Sequence, residues 1–529
     1  MRSVHLALAI LAAVAAECRA AVTVHPVPDR ATDSPYTVTV GGVDVPVEKA
    51  GGIRGSYYAR FRTDGKAAAV IAVRGAAVEA ACKPPAADFQ AAGGRLALTV
   101  EPGRRHIVTA TAGGRPLWPL ILIAEAELQE PIPGREFAVK DYLEPGVTVQ
   151  TRGIQKALDA CAREGGTVVF GPGRYRTGTI RIGDDTTVYL APGALIVGSD
   201  DPDDYPVDEG RKEVGTHGPQ CSFSRLILFD HCKNSRLIGH GVIDGRGHVV
   251  RNKHRRHVQL IDVTACEYVQ IENVVLRDSA EWTLHILGSK DVTVDNVSII
   301  NDWEVENTDG IDPDGSVDVS ISGLLAFCGD DAVAVKTTGH AGLRRPATGI
   351  TVDDGVLMTR KTALKVGTET YADVSGVRFL NCRVVNSSRG CAVYSKDGGR
   401  VSDVTFQDID LDLREYDGED KSGEPVRIEV SPRDGRAPID AVVFENIVCR
   451  TPYRSRLQGH PQAEIADVTF RNFRLALLPR ATRPEKQALF VLTHCRNVTF
   501  TDCTADYSAT DAGRWGGLTS EKHCVAIVK

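Results

Sequence analysis

Methionine occurs only twice in 529 residues, while Val, Thr, Gly and Asp recur throughout, a balance that favours strands and turns over helices. A basic excess is also missing. The formal net charge is −7, which argues against a nucleic-acid-binding surface, since that would need a Lys/Arg-rich face. After the N-terminal stretch no run is apolar and long enough to span a bilayer. Leucine at the spacing of a leucine-rich repeat is lacking, and so is room for a 3.6-residue periodicity inside the repeating units described next. These absences exclude helical solenoids and leucine-rich solenoids alike.

The first residues, MRSVHLALAILAAVAAECRA, place one Arg before an apolar run from Val4 to Ala16 and end in small residues. This is the pattern of a secretory signal peptide over residues 1–20, cleaved after Ala20, and it implies a secreted or periplasmic protein. Of 13 cysteines, Cys18 falls in that leader, and several of the rest read as small buried apolar residues inside the repeat.

The repeat is a valine-led alternation ending in Asn, Asp or Gly, as in YVQIENV, DVTVDNV, DVSISGL, DVTFQDI and NVTFTDC. Its leading residues are Val269, Val292, Val319, Ile350, Val377, Val404, Val442, Val468 and Val498, with Leu237, Val188 and Val168 extending the series backwards. Period-2 strands separated by turn residues, at one coil per 20 to 40 residues, specify a solenoid of stacked strands. We therefore expect an all-β chain: a right-handed parallel β-helix over 141–529. Residues 151–163, with Ile154, Leu158 and Cys161 on one helical face, supply a cap for its open end. Residues 21–140 lack the coil repeat and read as a small antiparallel β-sandwich. Two polar insertions, 199–223 and 413–436, are expected to border a binding face.

The most acidic segment runs from Asn307 to Lys336, NTDGIDPDGSVDVSISGLLAFCGDDAVAVK. Asp309 and Asp330 lie about one coil apart, with Asp331 adjacent. Strict alternation would point Asp330 and Asp331 to opposite faces, and Gly329 offers a bend that lets both reach one cleft. Three readings fit clustered carboxylates here. They can hydrogen-bond backbone amides at coil corners, they can bind calcium, or they can form a glycosidase site, in which one acid protonates the leaving oxygen and another activates water. Crowded like charges would raise one pKa, which suits the acid.

The motifs NTDGID and GDDAVAVK, together with GGTVVFGPGRYRTGTI, GSDDPDDYP, GVIDGRG and EWTLHIL, resemble the polygalacturonase-type enzymes of glycoside hydrolase family 28. The resemblance covers roughly residues 150 to 510 and implies a parallel β-helix and inverting hydrolysis of a polysaccharide or oligosaccharide, with no cofactor or metal. It implies Asp330 as general acid, and Asp309 and Asp331 as the groups that hold and activate water. Asn307, Lys336, Lys361, Glu369, Tyr394, Trp303 and His285 are the expected substrate-binding residues, with Trp282 and Tyr371 beside them. The chain departs from the family in two places. Lys361 stands about where a histidine is usual, with His340 nearby in sequence, and Ala392 and Tyr394 replace an Arg and a Lys that bind the substrate carboxylate. From these departures we expect weak turnover of polygalacturonate and better turnover of a neutral or differently charged glycan. A dextranase-type hydrolase is a related alternative. A lyase using Lys361, Lys365 or Lys396 as base and a non-catalytic carbohydrate-binding β-helix are the rival classes. Convergence of the three acids in a groove discriminates against the last.

Overall fold

The computed structural model describes residues 20–27, 31–50, 52, 55–75, 78–125, 127, 134–207, 224–416, 423–479, 488–510, 517–522 and 526–528. The leader expected over 1–20 lies outside these, Ala20 excepted. None of the helices among the described residues is long and apolar enough to cross a membrane.

Strands between Val22 and Glu125 form two sheets that share one apolar core, in which Tyr57 and Phe61 from one sheet meet Ile71 and Leu98 from the other. One pairing departs from the expected antiparallel arrangement: Leu120–Glu125 runs parallel to Tyr57–Thr63. The physical reason is burial on both faces. Leu120 and Leu122 enter the sandwich core, while Ile121 and Ile123 pack with Leu195, Val242 and Val275 of the adjoining β-helix. The Arg60 guanidinium donates to the His240 carbonyl at 3.0 Å and Arg277 to the Tyr58 hydroxyl at 2.7 Å, which ties the two parts together.

From Glu136 onwards every named strand pairing is parallel, and the stack forms the expected β-helix. Its repeat and its register coincide. Val269, Val292, Val319, Ile350, Val377, Val404, Val442, Val468 and Val498 are successive cross-strand partners, one per coil. At the N-terminal end the column is offset: Leu237 pairs with Ile271, two residues on from Val269, so the apolar face is kept. Phe379, Phe406, Phe444, Phe470 and Phe500 stack inside the coils, with ring centroids 4.8 to 4.9 Å apart, the spacing of neighbouring strands. Helix Thr151–Glu164 caps the first coil with Ile154, Leu158 and Cys161 buried, and the only other α-helix among the described residues is the four-residue Gly247–Val250.

A second sheet of twelve parallel strands forms another wall of the solenoid and carries the acids. Its central strands are Leu284–Leu287, Ile311–Asp314, Val333–Thr337, Thr362–Thr370, Arg389–Asp397 and Glu424–Gly435. The last of these corrects the reading of 413–436 as an insertion over 424–435, which is a twelve-residue strand of the stack, with Val426, Ile428 and Val430 inward and Arg427 and Glu429 on the opposite face. Residues 417–422, and 208–223 of the other insertion, lie outside the described residues.

Candidate active site

Asp309 precedes Ile311–Asp314, and Asp330 and Asp331 precede Val333–Thr337, so all three sit in the turns that lead into adjacent rungs. Strand alternation therefore does not separate Asp330 from Asp331. The turn is possible because two glycines let the coils touch. A Cβ at Gly329 would lie 2.3 Å from the Val305 carbonyl oxygen, and one at Gly310 would lie 2.3 Å from that of Ala332. Asn307 adopts φ 60°, a left-handed conformation that Asn tolerates, and its amide donates to Asp330 Oδ2 at 3.0 Å.

The three acids converge. One carboxylate oxygen from each of Asp309, Asp330 and Asp331 lies within 4.8 Å of the others. Asp309 and Asp331 are buried, whereas Asp330 is partly exposed and faces the cleft. Their neighbours differ. Lys365 Nζ lies 2.6 Å from Asp331 Oδ2, and the Thr362 amide donates to Asp331 Oδ1 at 2.9 Å. Lys336 Nζ lies 3.1 Å from Asp309 and 2.9 Å from Asp312, a fourth buried carboxylate that sequence reasoning missed. The Trp282 ring covers that ammonium, with its centroid 3.8 Å from Nζ.

These contacts set the protonation pattern. Burial pushes the Asp331 carboxyl upwards, but Lys365 outweighs it and holds the group below the usual carboxylate range. Burial and the adjacent Asp331 raise Asp330. Burial also raises Asp309, against the pull of Lys336, and raises Asp312 to about 6. Two ammoniums thus face four carboxyl groups, and the excess of like charge favours protonation among the raised members. An ionised Asp331 beside a protonated Asp330 is a base next to an acid.

The cleft around them has a volume of about 400 Å³ and takes in Asn307, Lys336, Lys361, Glu369 and Tyr394, as expected, and Trp282. It excludes two expected residues. Trp303 packs against Phe327 and Tyr416 in a separate apolar cluster, because its turn projects away from the acids. His285 lies behind Trp282, its ring centroid 4.9 Å away, and its Nε2 is 3.0 Å from Asp314. With Asp314 and His340 it forms a buried cluster that can hold a metal ion, as can the three acids. The acids, however, already face Lys336 and Lys365. Tyr371 bonds Asp434 outside the cleft.

Sequence reasoning also missed cations. Arg389, Arg427 and Arg433 line the cleft along with Lys361, Lys365 and Lys396. The uncharged patch expected at Ala392 is real but narrow. Ala392 is the rung between Lys365 and Arg427, so positive charge lies directly above and below it. Arg427 is held by Glu429 at 2.7 Å, Arg389 by Glu424 at 3.1 Å and Arg433 by Asp397 at 2.6 Å. Lys361 and Lys396 have no carboxylate within ion-pairing distance among the described residues. Burial and the cations around it lower the Lys396 pKa. The signal that could have found Arg427 was the alternation VRIEV, hidden by its charged surroundings.

Residues 209–418 match the family model described as Glycosyl hydrolases family 28, so the resemblance read from the motifs is borne out. The chain is 25% identical over 279 residues to a probable polygalacturonase from Vitis vinifera, covering 49% of this chain and 57% of that relative. It thus spans little more than half that protein's length. Among solved structures, the family 28 exopolygalacturonase of Yersinia enterocolitica is similar with a TM-score of 0.61 and 16% identity, over 91% of this chain and 98% of that one. Dex49A from Penicillium minioluteum is similar with a TM-score of 0.51 and 12% identity, over 96% and 99%. At these identities the two structures speak for the fold alone.

Proposed function

We propose that the chain is an exported glycoside hydrolase that cleaves an acidic polysaccharide or oligosaccharide of the polygalacturonate type by inversion. The observation that carries this reading is the convergence of Asp309, Asp330 and Asp331 at the floor of a cation-lined cleft. Asp330, raised and partly exposed, donates its proton to the leaving glycosidic oxygen. Asp331, kept ionised by Lys365, takes a proton from water as that water attacks the anomeric carbon, and Asp309 holds the water. The bond to the leaving oxygen breaks as the bond to water oxygen forms: the leaving half gains the Asp330 proton, the other half gains hydroxyl, and the proton that the water gives up rests on Asp331.

The acids lie closer together than the roughly 6.5–9.5 Å usual for an inverting pair, which supports a second reading in which Asp309 or Asp331 attacks the sugar directly and configuration is retained. Inversion is preferred because three carboxylates, rather than two, are present to seat a water. On substrate, Lys361 and Lys396 support a carboxylate-bearing sugar. They replace in charge, though not in bidentate geometry, the Arg and Lys missing at Ala392 and Tyr394. This moves the preference away from the neutral glycan expected from the sequence departures. Export rests on the N-terminal MRSVHLALAILAAVAAECRA pattern. The test is reducing-end release from polygalacturonate and from dextran under the same conditions. Turnover of polygalacturonate supports the reading, and turnover of dextran alone refutes its substrate class.

A further inference from the structure

A second cavity, of about 640 Å³, lies where the sandwich meets the β-helix. Trp118 of the sandwich and Trp303, Met358 and Tyr416 of the β-helix form its apolar walls, and Asn386 and Arg414 supply polar groups. The Trp303 and Tyr416 ring centroids are 5.7 Å apart at 58°, so the two rings form a corner rather than a closed stack. Asn386 is 6% exposed, and its backbone carbonyl accepts from the Tyr416 hydroxyl. Its side-chain amide has no hydrogen-bond partner among the described residues, although it lines the cavity. The Arg414 guanidinium faces no carboxylate within ion-pairing distance among them either. The Asn386 amide opens onto the cavity, where its donors and its acceptor are available to a ligand.

This cavity is not the acid cleft. The turn that contains Trp303 and Asn307 separates them, with Trp303 on one side and Asn307 on the other. An ion pair between Glu304 and Arg360, 3.2 Å long, braces the same partition. Flat aromatic faces beside an amide and a planar guanidinium are the chemistry that holds a pyranose ring: apolar C–H faces against the rings, hydroxyls on the amide, and a carboxylate on the Arg fork.

We propose that this cavity is a second carbohydrate site, which binds one pyranose unit of an acidic glycan without cleaving it. It is placed to hold chain material next to the partition while another segment occupies the acids. The choice of an acidic glycan rests on the reading of the cleft given above; the pyranose chemistry of the cavity does not.

The test uses the full chain carrying Asp330→Asn, so that binding is read without hydrolysis, and a galacturonate trisaccharide as probe, by calorimetric titration. Two sites are expected. Arg414→Ala or Asn386→Ala in that background should weaken one of them about tenfold or more, the cost of one charge-assisted or buried hydrogen bond. Lys396→Met should weaken the other. Melting temperatures of the variants establish that they remain folded. A single site that is insensitive to Arg414→Ala and Asn386→Ala overturns the proposal, as does a second site that survives both changes. Were the wild-type chain to hydrolyse no glycan while the two-site count held, the hydrolase reading would fall and this one would stand. Hydrolysis with only one binding site would leave the hydrolase reading in place and remove the second site.

Discussion

Lys365 Nζ and Asp331 Oδ2 are 2.6 Å apart in a nearly buried ion pair, and this contact keeps one carboxyl of the acid cluster ionised while its neighbours are pushed towards protonation. The division of labour proposed for the site depends on it. Lys365→Met should raise the Asp331 pKa, move the acidic limb of the pH–rate profile upwards, and lower turnover at neutral pH. Removing one partner of a buried pair should also cost about 3–5 kcal/mol of stability. A profile whose acidic limb stays in place in the folded variant would show that Asp331 is not the base.

Asp330→Asn keeps size and hydrogen-bond capacity but cannot supply a proton. Turnover on a confirmed substrate should fall by about 100-fold or more, with the circular dichroism spectrum unchanged. Near wild-type turnover would remove Asp330 from the role of acid.

The pH dependence follows from the two shifts. Activity needs Asp330 protonated, so it declines as pH rises through a pKa above the usual carboxylate range. It needs Asp331 ionised, so it declines as pH falls through a pKa below that range. A bell-shaped profile on the acidic side of neutrality is expected, measured as kcat/KM across pH. Activity that keeps rising into alkaline pH would point instead to a basic residue such as Lys396 and to elimination chemistry.

Asp312 carries a stability signature of its own. Its folded pKa is raised to about 6 from 3.8, so the native state binds the proton more tightly than the unfolded chain. The contribution is therefore fully present below the unfolded value and is lost as pH climbs from about 4 to about 6. In Asp312→Asn this loss disappears. The stability of the variant relative to wild type, measured by chemical denaturation, should rise across that window and level off above it. A difference independent of pH would show that Asp312 is not raised.

Much of the fold was legible because a parallel β-helix repeats one rung many times. Valines from Val269 to Val498 recur at coil spacing, and each one pairs with the next. The acids were legible for a related reason: Asp309 and Asp330 flank one coil, and nothing in a turn-rich strand protein favours so much charge there. What escaped was whatever depended on neighbouring rungs. Arg427 reaches the cleft only because Glu424–Gly435 forms a strand beside Ala392, and its charges read as a loop. Trp303 looked like a sugar platform because it is four residues from Asn307, yet the turn between them sends its ring to the other side. Asp312 reads as an ordinary turn acid until Lys336 is seen between it and Asp309.

Inversion requires that a water molecule, rather than a carboxylate, attack the anomeric carbon. Proton NMR of the first-formed reducing ends from polygalacturonate, recorded before mutarotation, tests this most directly. The α-linked substrate should yield the β anomer first, through a single inversion. Initial release of the α anomer would contradict the proposed mechanism and assign Asp309 or Asp331 as a nucleophile.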